Sequence, residues 1–261
     1  MENYEAAHVF DVTGKTALIT GGTKGLGRAM AACLLQNGCN VMLVSRNTGG
    51  TEDLVKLAAQ NRCHCYLYAC DVTDTASVID MVHAADEKMG RIDILINAAG
   101  MNRPKMLEDM DDATWDEILG LDLRACFIVT REVARVMRKN KYGKIINISS
   151  MKSLLSVSDA GYTAYCAAKG AVNALTRQVA CELAADGITA NAIAPTFIKT
   201  AINARQLEDP VFYRSLTSRI PVGRIGEFKD LMGLLLLLAS DASQFITGQV
   251  FLLDGGIAAR Q

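Results

Sequence analysis

The chain has 261 residues, half of them hydrophobic, and a formal net charge of -1. That is ample for a large α/β core, and the charge balance gives no reason to expect nucleic acid or an anionic membrane surface as a partner. Residues 1–12 read as an N-terminal tail that is acidic and lacks the basic-then-apolar order of a secretion signal, so a cytoplasmic location is expected. The eight cysteines stand singly in apolar stretches with no C-x-x-C pair, and read as buried free thiols rather than disulfides or a metal site.

In chain order, short β-branched runs alternate with longer helical segments. Strands are expected at Lys15 to Thr20, Asn40 to Ser45, Cys63 to Ala69, Ile92 to Asn97, Gly143 to Ser149, Ile188 to Ala194 and Gln249 to Asp254. Helices are expected at Leu26 to Gln36, Thr75 to Met89, Ala113 to Asn140 with a break near Gly120, Tyr162 to Ala185, and Phe228 to Ala239. In the third strand, alternation puts Cys63, Cys65 and Leu67 on one face. The apolar run Leu234 to Leu238 is too short for a bilayer, which needs ~20 residues, and reads as a buried helix. Near-continuous apolar strands imply parallel pairing covered on both faces. The pattern therefore predicts an α/β fold: a single-domain, doubly wound parallel sheet of about seven strands over residues 13–261, with helices on both faces. Pro195 to Arg224 breaks the rhythm after the sixth strand, and a loop of that length reads as a lid or binding segment at the strands' carboxyl ends.

"TGGTKGLGRAM" sits between the first strand and the first helix. Gly21, Gly25 and Gly27, with Thr23, Lys24 and Leu26 between them, suit a tight turn whose N–H groups and helix N-terminus meet a pyrophosphate. The spacing G-x-x-x-G-x-G differs from the longer G-x-G-x-x-G form. A carboxylate at the end of the second strand would hold the ribose hydroxyl of NAD, but no acidic residue lies between Arg28 and Thr51. The strand ends instead in Ser45 and Arg46, and Lys24 lies inside the glycine loop. Cations on a 2′-phosphate explain both, so NADP(H) is the expected cofactor. Further on, Tyr165 and Lys169 are four residues apart, a spacing that brings a phenol and an ammonium to one helix face. A neighbouring cation favours phenolate and suits proton exchange, yet the spacing alone fits two ordinary helix residues equally well.

"TGGTKGLG" at Thr20, "CDVTD" at Cys70, "NAAG" at Asn97, "NISS" at Asn147, "YCAAK" at Tyr165 and "LLDGG" at Leu252 together resemble the short-chain dehydrogenases/reductases over nearly the whole chain. The resemblance implies a Rossmann-like oxidoreductase acting on CH–OH groups. Asp71 and Val72 would meet the adenine, and Asn97, Ala98, Ala99 and Gly100 would line the cofactor. Pro195, Ile198 and Thr200 would lie at the nicotinamide carboxamide. Tyr165 would be the general acid or base, Lys169 would bind the nicotinamide ribose and favour phenolate, and a serine would hydrogen-bond the reacting oxygen. Ser150 is chosen for that serine, with Ser149 and Ser153 behind it. It stands 15 residues before Tyr165 rather than the more usual 13, which implies a two-residue insertion and leaves Lys152 at the usual position. Asp122 takes the place of the asparagine that often completes a tetrad. It could keep a role played by the backbone carbonyl, while its carboxylate adds negative charge.

"NAAGMNRPKML" and "APTFIKT" are similar to gluconate 5-dehydrogenase-like members acting on sugar acids and polyols, and Arg103 is the candidate fork for a substrate carboxylate. The alternative is reduction of a 3-oxoacyl thioester on acyl carrier protein, with "RKNKYGK" at Arg138 to Lys144 as a basic docking surface. Against it, Asp186 stands where such reductases often carry a basic side chain. A cofactor-binding scaffold without catalysis is a remote third reading, opposed by the intact Ser150, Tyr165 and Lys169. The family also implies a homotetramer built through the two long helices, with Ala171, Ala174 and Leu175 packing either between subunits or into the core.

Overall fold

The structure is a computed structural model that describes residues 6–158, 160–200 and 203–260. Residues 1–5 of the expected tail lie outside the described residues. Seven strands, β1 (Thr16–Thr20), β2 (Asn40–Ser45), β3 (Cys65–Ala69), β4 (Ile94–Asn97), β5 (Gly143–Ile148), β6 (Ile188–Pro195) and β7 (Val250–Leu253), form one sheet in the order β3-β2-β1-β4-β5-β6-β7. Every pairing is parallel; Ala17 of β1 lies opposite both Val41 of β2 and Ile94 of β4. The helices are α1 (Ala6–Val9), α2 (Gly25–Gln36), α3 (Glu52–Gln60), α4 (Thr75–Met89), α5 (Asp112–Leu119), α6 (Ala125–Asn140), α7 (Thr163–Leu183), α8 (Ala204–Leu207), α9 (Pro210–Thr217) and α10 (Phe228–Ala239).

Strand alternation sorts the apolar side chains into two cores. Ala17, Ile19, Ile94, Ile96 and Ile146 face the side covered by α2, α3 and α10. Leu18, Leu95 and Ile145 face the side covered by α4, α6 and α7. Helices cover both faces, and the order in which strands are added to the sheet reverses between β1 and β4. A crevice opens at the carboxyl ends on either side of that point.

Local chemistry sets the element boundaries. Asp74 caps α4 by accepting from the Ser77 N–H at 2.9 Å, and Gly90 ends the helix in the left-handed region at φ 73°. The break expected near Gly120 is one turn of π-helix, Gly120–Arg124, wedged between α5 and α6. α3 has no counterpart in the sequence reading, because it has nine residues and buries only Leu54 and Ala58. The third strand is also corrected. It begins at Cys65, with Cys63 in the connection before it, and Leu67 is exposed because β3 is an edge strand with one thinly covered face. The cysteines are free, but Cys181 is exposed and Cys65 and Cys166 only half-buried. The Pro195 to Arg224 interval carries α8 and α9 and is pinned at its base by a bridge between Ile198 and Gly226. Among the described residues no helix is long and apolar enough to cross a membrane.

At the opposite, amino-terminal end of the sheet, Lys144 is 1% exposed and has no carboxylate on its ammonium among the described residues; its Nζ lies 3.4 Å from Ser243 Oγ. Burial pushes it down from 10.5 to about 8. Below that value both folded and unfolded chains hold the proton and the burial cost is fully present. Between about 8 and 10.5 only the unfolded chain keeps it, so stability rises with pH there. Lys144→Met is expected to raise unfolding free energy at neutral pH by about 1–3 kcal/mol and to flatten that alkaline rise. Denaturant titrations across the pH range check both effects.

Candidate active site

A cleft of about 1190 Å³ runs across the carboxyl ends of β1, β2, β4, β5 and β6, and the residues singled out in the sequence converge on it. At one end is the glycine turn. Gly21 (φ 67°) and Gly25 (φ 53°) adopt the left-handed region. A Cβ on Gly21 would lie 2.8 Å from the Ala99 nitrogen, and one on Gly27 would lie 2.4 Å from the Gly21 carbonyl oxygen. Only glycine lets the turn close so tightly against both β4's exit and its own helix. No side chain caps the N-terminus of α2 and its first turn has no carboxylate, so its N–H dipoles face the cleft without an internal anion. That cradle fits a pyrophosphate.

Beside it, the charges are sorted. Arg28 is engaged, with Nη2 on both carboxylate oxygens of Asp53 at 2.6 Å and Nη1 on the Gly50 carbonyl at 3.0 Å. This also occupies one of the first carboxylates after β2. Lys24 and Arg46 line the cleft, exposed, with no ion pair among the described residues. Ser45 ends β2 between them and the sheet. Asp71 and Val72 form the next stretch of wall. The Asp71 carboxylate accepts from the Thr73 N–H at 3.0 Å and from the Thr73 hydroxyl at 2.7 Å, and these bonds hold it below its ordinary value.

At the other end lie Ser150, Tyr165, Lys169 and Asp122. The i,i+4 spacing on α7 places the Lys169 ammonium 5.6 Å from the centre of the Tyr165 ring. The ammonium is buried, donates to the Ile148 carbonyl at 3.0 Å, and lies 3.1 Å from Asp122 Oδ2. Burial alone pulls it downward, but Asp122 and then Tyr165 outweigh that, so it is held above the ordinary lysine value. The π turn delivers Asp122 to this contact, and its other oxygen accepts from the Met101 N–H at 2.7 Å. The sequence reading gave Asp122 a backbone role, whereas here the carboxylate itself meets the lysine.

The three serines differ in what their hydroxyls do. Ser149 donates to the Lys169 carbonyl at 3.3 Å, and Ser153 donates to the Ser150 carbonyl at 2.6 Å while accepting from Asn173. Ser150 Oγ accepts from the Lys152 N–H at 3.2 Å, which leaves its O–H to donate into the cleft.

Two expected residues sit off the cleft wall. The Asn97 amide is turned inward, donating to Thr130 at 2.9 Å and to Asn147 at 2.8 Å; Asn147 in turn donates to Thr176 at 2.9 Å. Ile198 is buried in the base of the 195–224 interval, against Gly226. Ala98, Ala99, Gly100, Pro195 and Thr200 do reach the wall, joined by Thr196. Arg103 is also on the wall, but is paired with Glu117 at 2.8 Å, a residue the sequence reading passed over. The only signal was its place in "WDEILG", a helix starting one turn after the Arg103 loop.

The family model described as Enoyl-(Acyl carrier protein) reductase matches residues 21–258. The gluconate 5-dehydrogenase of Gluconobacter oxydans (strain 621H) is 37% identical over 249 residues, 95% of this chain and 96% of that protein. The 3-oxoacyl-(acyl-carrier-protein) reductase FabG of Thermotoga maritima is 36% identical, covering 94% of this chain and 98% of that one. Among solved structures, a gluconate 5-dehydrogenase from Burkholderia cenocepacia J2315 in complex with NADP and tartrate superposes with a TM-score of 0.92 at 33% identity, covering 98% of this chain and 100% of that one.

Gly27→Ala is expected to cost about 2–4 kcal/mol of stability, because the new methyl meets backbone that cannot give way. It should weaken dinucleotide binding as well. Thermal melting and a fluorescence titration with NADPH read the two losses.

Proposed function

The chain belongs to the short-chain dehydrogenase/reductase family, and on that premise we propose that it is an NADP(H)-dependent oxidoreductase interconverting a secondary alcohol and a ketone of a sugar acid or polyol. The observation that carries the reading is the convergence of Ser150, Tyr165 and the anchored Lys169 at one end of the cleft whose other end is the glycine cradle. Bound NADP(H) would supply or accept the hydride. The chain's residues hold and move the proton. Ser150 donates a hydrogen bond to the reacting oxygen, and Tyr165 gives that oxygen a proton in reduction or takes one in oxidation. Lys169 holds positive charge beside the phenol and offers its remaining N–H to the nicotinamide ribose. Lys24 and Arg46, which form no ion pair among the described residues, would bind a 2′-phosphate, and Asp71 and Val72 would meet the adenine.

Two observations favour a small anionic or polyhydroxy substrate over a thioester on acyl carrier protein. The "RKNKYGK" stretch is already neutralised: Arg138 and Lys141 pair with Asp186, Lys139 pairs with Asp86, and Lys144 is buried. It also lies where α6 returns to β5, at the end of the sheet remote from the cleft. Near the reacting end, Arg103 with its Glu117 partner is a candidate to turn to a substrate carboxylate. Lys152 is half-buried 5.6 Å from the Tyr162 ring, with no ion pair among the described residues.

We further propose a cytoplasmic homotetramer. Ala171 and Leu175 are half-buried and Ala174 exposed on the face of α7 turned from the sheet, and Phe127 of α6 is 44% exposed. These suit helix packing between subunits.

A screen of gluconate, 5-ketogluconate, polyols and acetoacetyl thioesters with NADP(H) and NAD(H) tests the substrate class, with turnover of the sugar acid pair expected and preference for the thioester refuting it. Tyr165→Phe is expected to lower kcat by about 10²–10⁴-fold with NADPH binding retained. Arg46→Ala is expected to raise KM for NADPH by about tenfold and to leave that for NADH nearly unchanged.

A further inference from the structure

We propose that Asp122 is a positioning residue that shifts the working pH range of this site upward by acting through Lys169; the inference rests on the assignment of Tyr165 as the proton-transfer group. Three observations place it. Asp122 and Lys169 are both buried, with Oδ2 3.1 Å from Nζ. Among the described residues Oδ2 has no hydrogen-bond partner beyond that ion pair, so the ammonium is the one cation in contact with it. The second oxygen is fixed by the Met101 N–H, and Gly100 keeps the approach open, since a Cβ there would lie 3.1 Å from Oδ2. The carboxylate is therefore held rigidly by the π turn and the β4 exit, and cannot swing out to solvent.

The consequence for proton transfer is electrostatic. A lone buried ammonium would exert its full field on the Tyr165 ring, favouring phenolate, and would itself lose its proton readily because it is desolvated. A carboxylate in contact does two things at once. It cancels part of the field felt by the phenol, so phenolate forms at higher pH. It also stabilises the ammonium, so the lysine stays charged to higher pH. Both edges of the active range move in the same direction. An asparagine at this position has no net charge, so its carbonyl could supply only a weaker version of either effect.

The remaining titratable or charged groups around the pair, among the described residues, do not compete. Cys126 of α6 has its thiol pushed up to about 12 by burial and stays neutral. Around Tyr165 lie Tyr162 at the N-cap of α7, Cys166 on α7 and Lys152 after β5; Ser149 and Ser150 contribute only hydroxyls. Asp122 is thus the single carboxylate among them in contact with the lysine.

The test compares wild type with Asp122→Asn, and with Asp122→Ala should the amide pack poorly against Met101, folding being checked by melting and NADPH binding. The pH profile of kcat/KM for gluconate oxidation with NADP+ is expected to slide as a whole toward acid by about one pH unit, with both edges moving. Independently of any substrate, ultraviolet difference titration of phenolate, each protein minus its Tyr165→Phe counterpart, should show the midpoint falling by a similar amount. A lower plateau with unmoved edges and an unmoved phenolate midpoint would reduce Asp122 to a structural contact and overturn the inference. If Tyr165→Phe instead retains turnover, the assignment of the proton-transfer group fails first, and the phenolate titration still decides whether Asp122 acts on the phenol.

Discussion

A positive charge almost wholly shielded from water is the constraint around which the site is organised. Lys169 lies within the protein, so its ammonium must be matched by acceptors at fixed positions or the fold loses several kcal/mol. The acceptors come from two separate places: the Ile148 carbonyl at the end of β5 and the Asp122 carboxylate on the π turn. An α-helix running unbroken from Asp112 to Asn140 would have nothing special at position 122. The widened turn rotates that residue toward α7, and π-bulges recur at functional sites for this kind of reason. Fixing the lysine also fixes the helix that carries Tyr165.

Beneath this pair, buried amides and hydroxyls tie four elements together. Asn97 of β4, Thr130 of α6, Asn147 of β5 and Thr176 of α7 donate and accept in a connected series. Each bond is of ordinary length, yet the series sets the depth of α7 against the sheet, which apolar packing alone would leave free to slide. The Asn97 and Asn147 of the sequence motifs thus serve the site from below, by registering the helix that presents Tyr165 and Lys169.

How much of this was legible in the sequence follows from the range of the signals. Strands such as "KTALIT" and "IDILIN" are buried on both faces and announce themselves as apolar runs. The glycine turn reads well because its spacing reflects steric contacts within eight residues. β3 is harder, because an edge strand has only one well-covered face and its alternation carries less information; the expected strand starts at Cys63, whereas β3 starts at Cys65. α3 is missed because it is short: its nine residues bury only Leu54 and Ala58. The side-chain facts are the least legible. That Arg103 meets Glu117, that Arg28 takes up Asp53, and that the cations of "RKNKYGK" are met by Asp86 and Asp186 depend on residues brought together from 14 to 53 positions apart.

The bridge between Ile198 and Gly226 closes the base of the interval carrying α8 and α9. Gly226 accepts from Lys199 N–H at 2.9 Å and donates to the Phe197 carbonyl at 2.9 Å, so the two strands of the neck are held as firmly as a short sheet. Beyond that neck the described residues rest on the C-terminal segment, where Val222 N–H donates to the Gly255 carbonyl at 3.1 Å, Arg260 donates to the Ser218 carbonyl at 2.6 Å, and Ile257 packs with Leu216 and Ile220. None of these contacts reaches the phosphate cradle or the anchored lysine, so the insert is supported from a different side of the molecule than the chemistry it borders. In a chain built this way, acquiring a new substrate is a problem of changing one surface insert, while the inherited chemistry underneath is left intact.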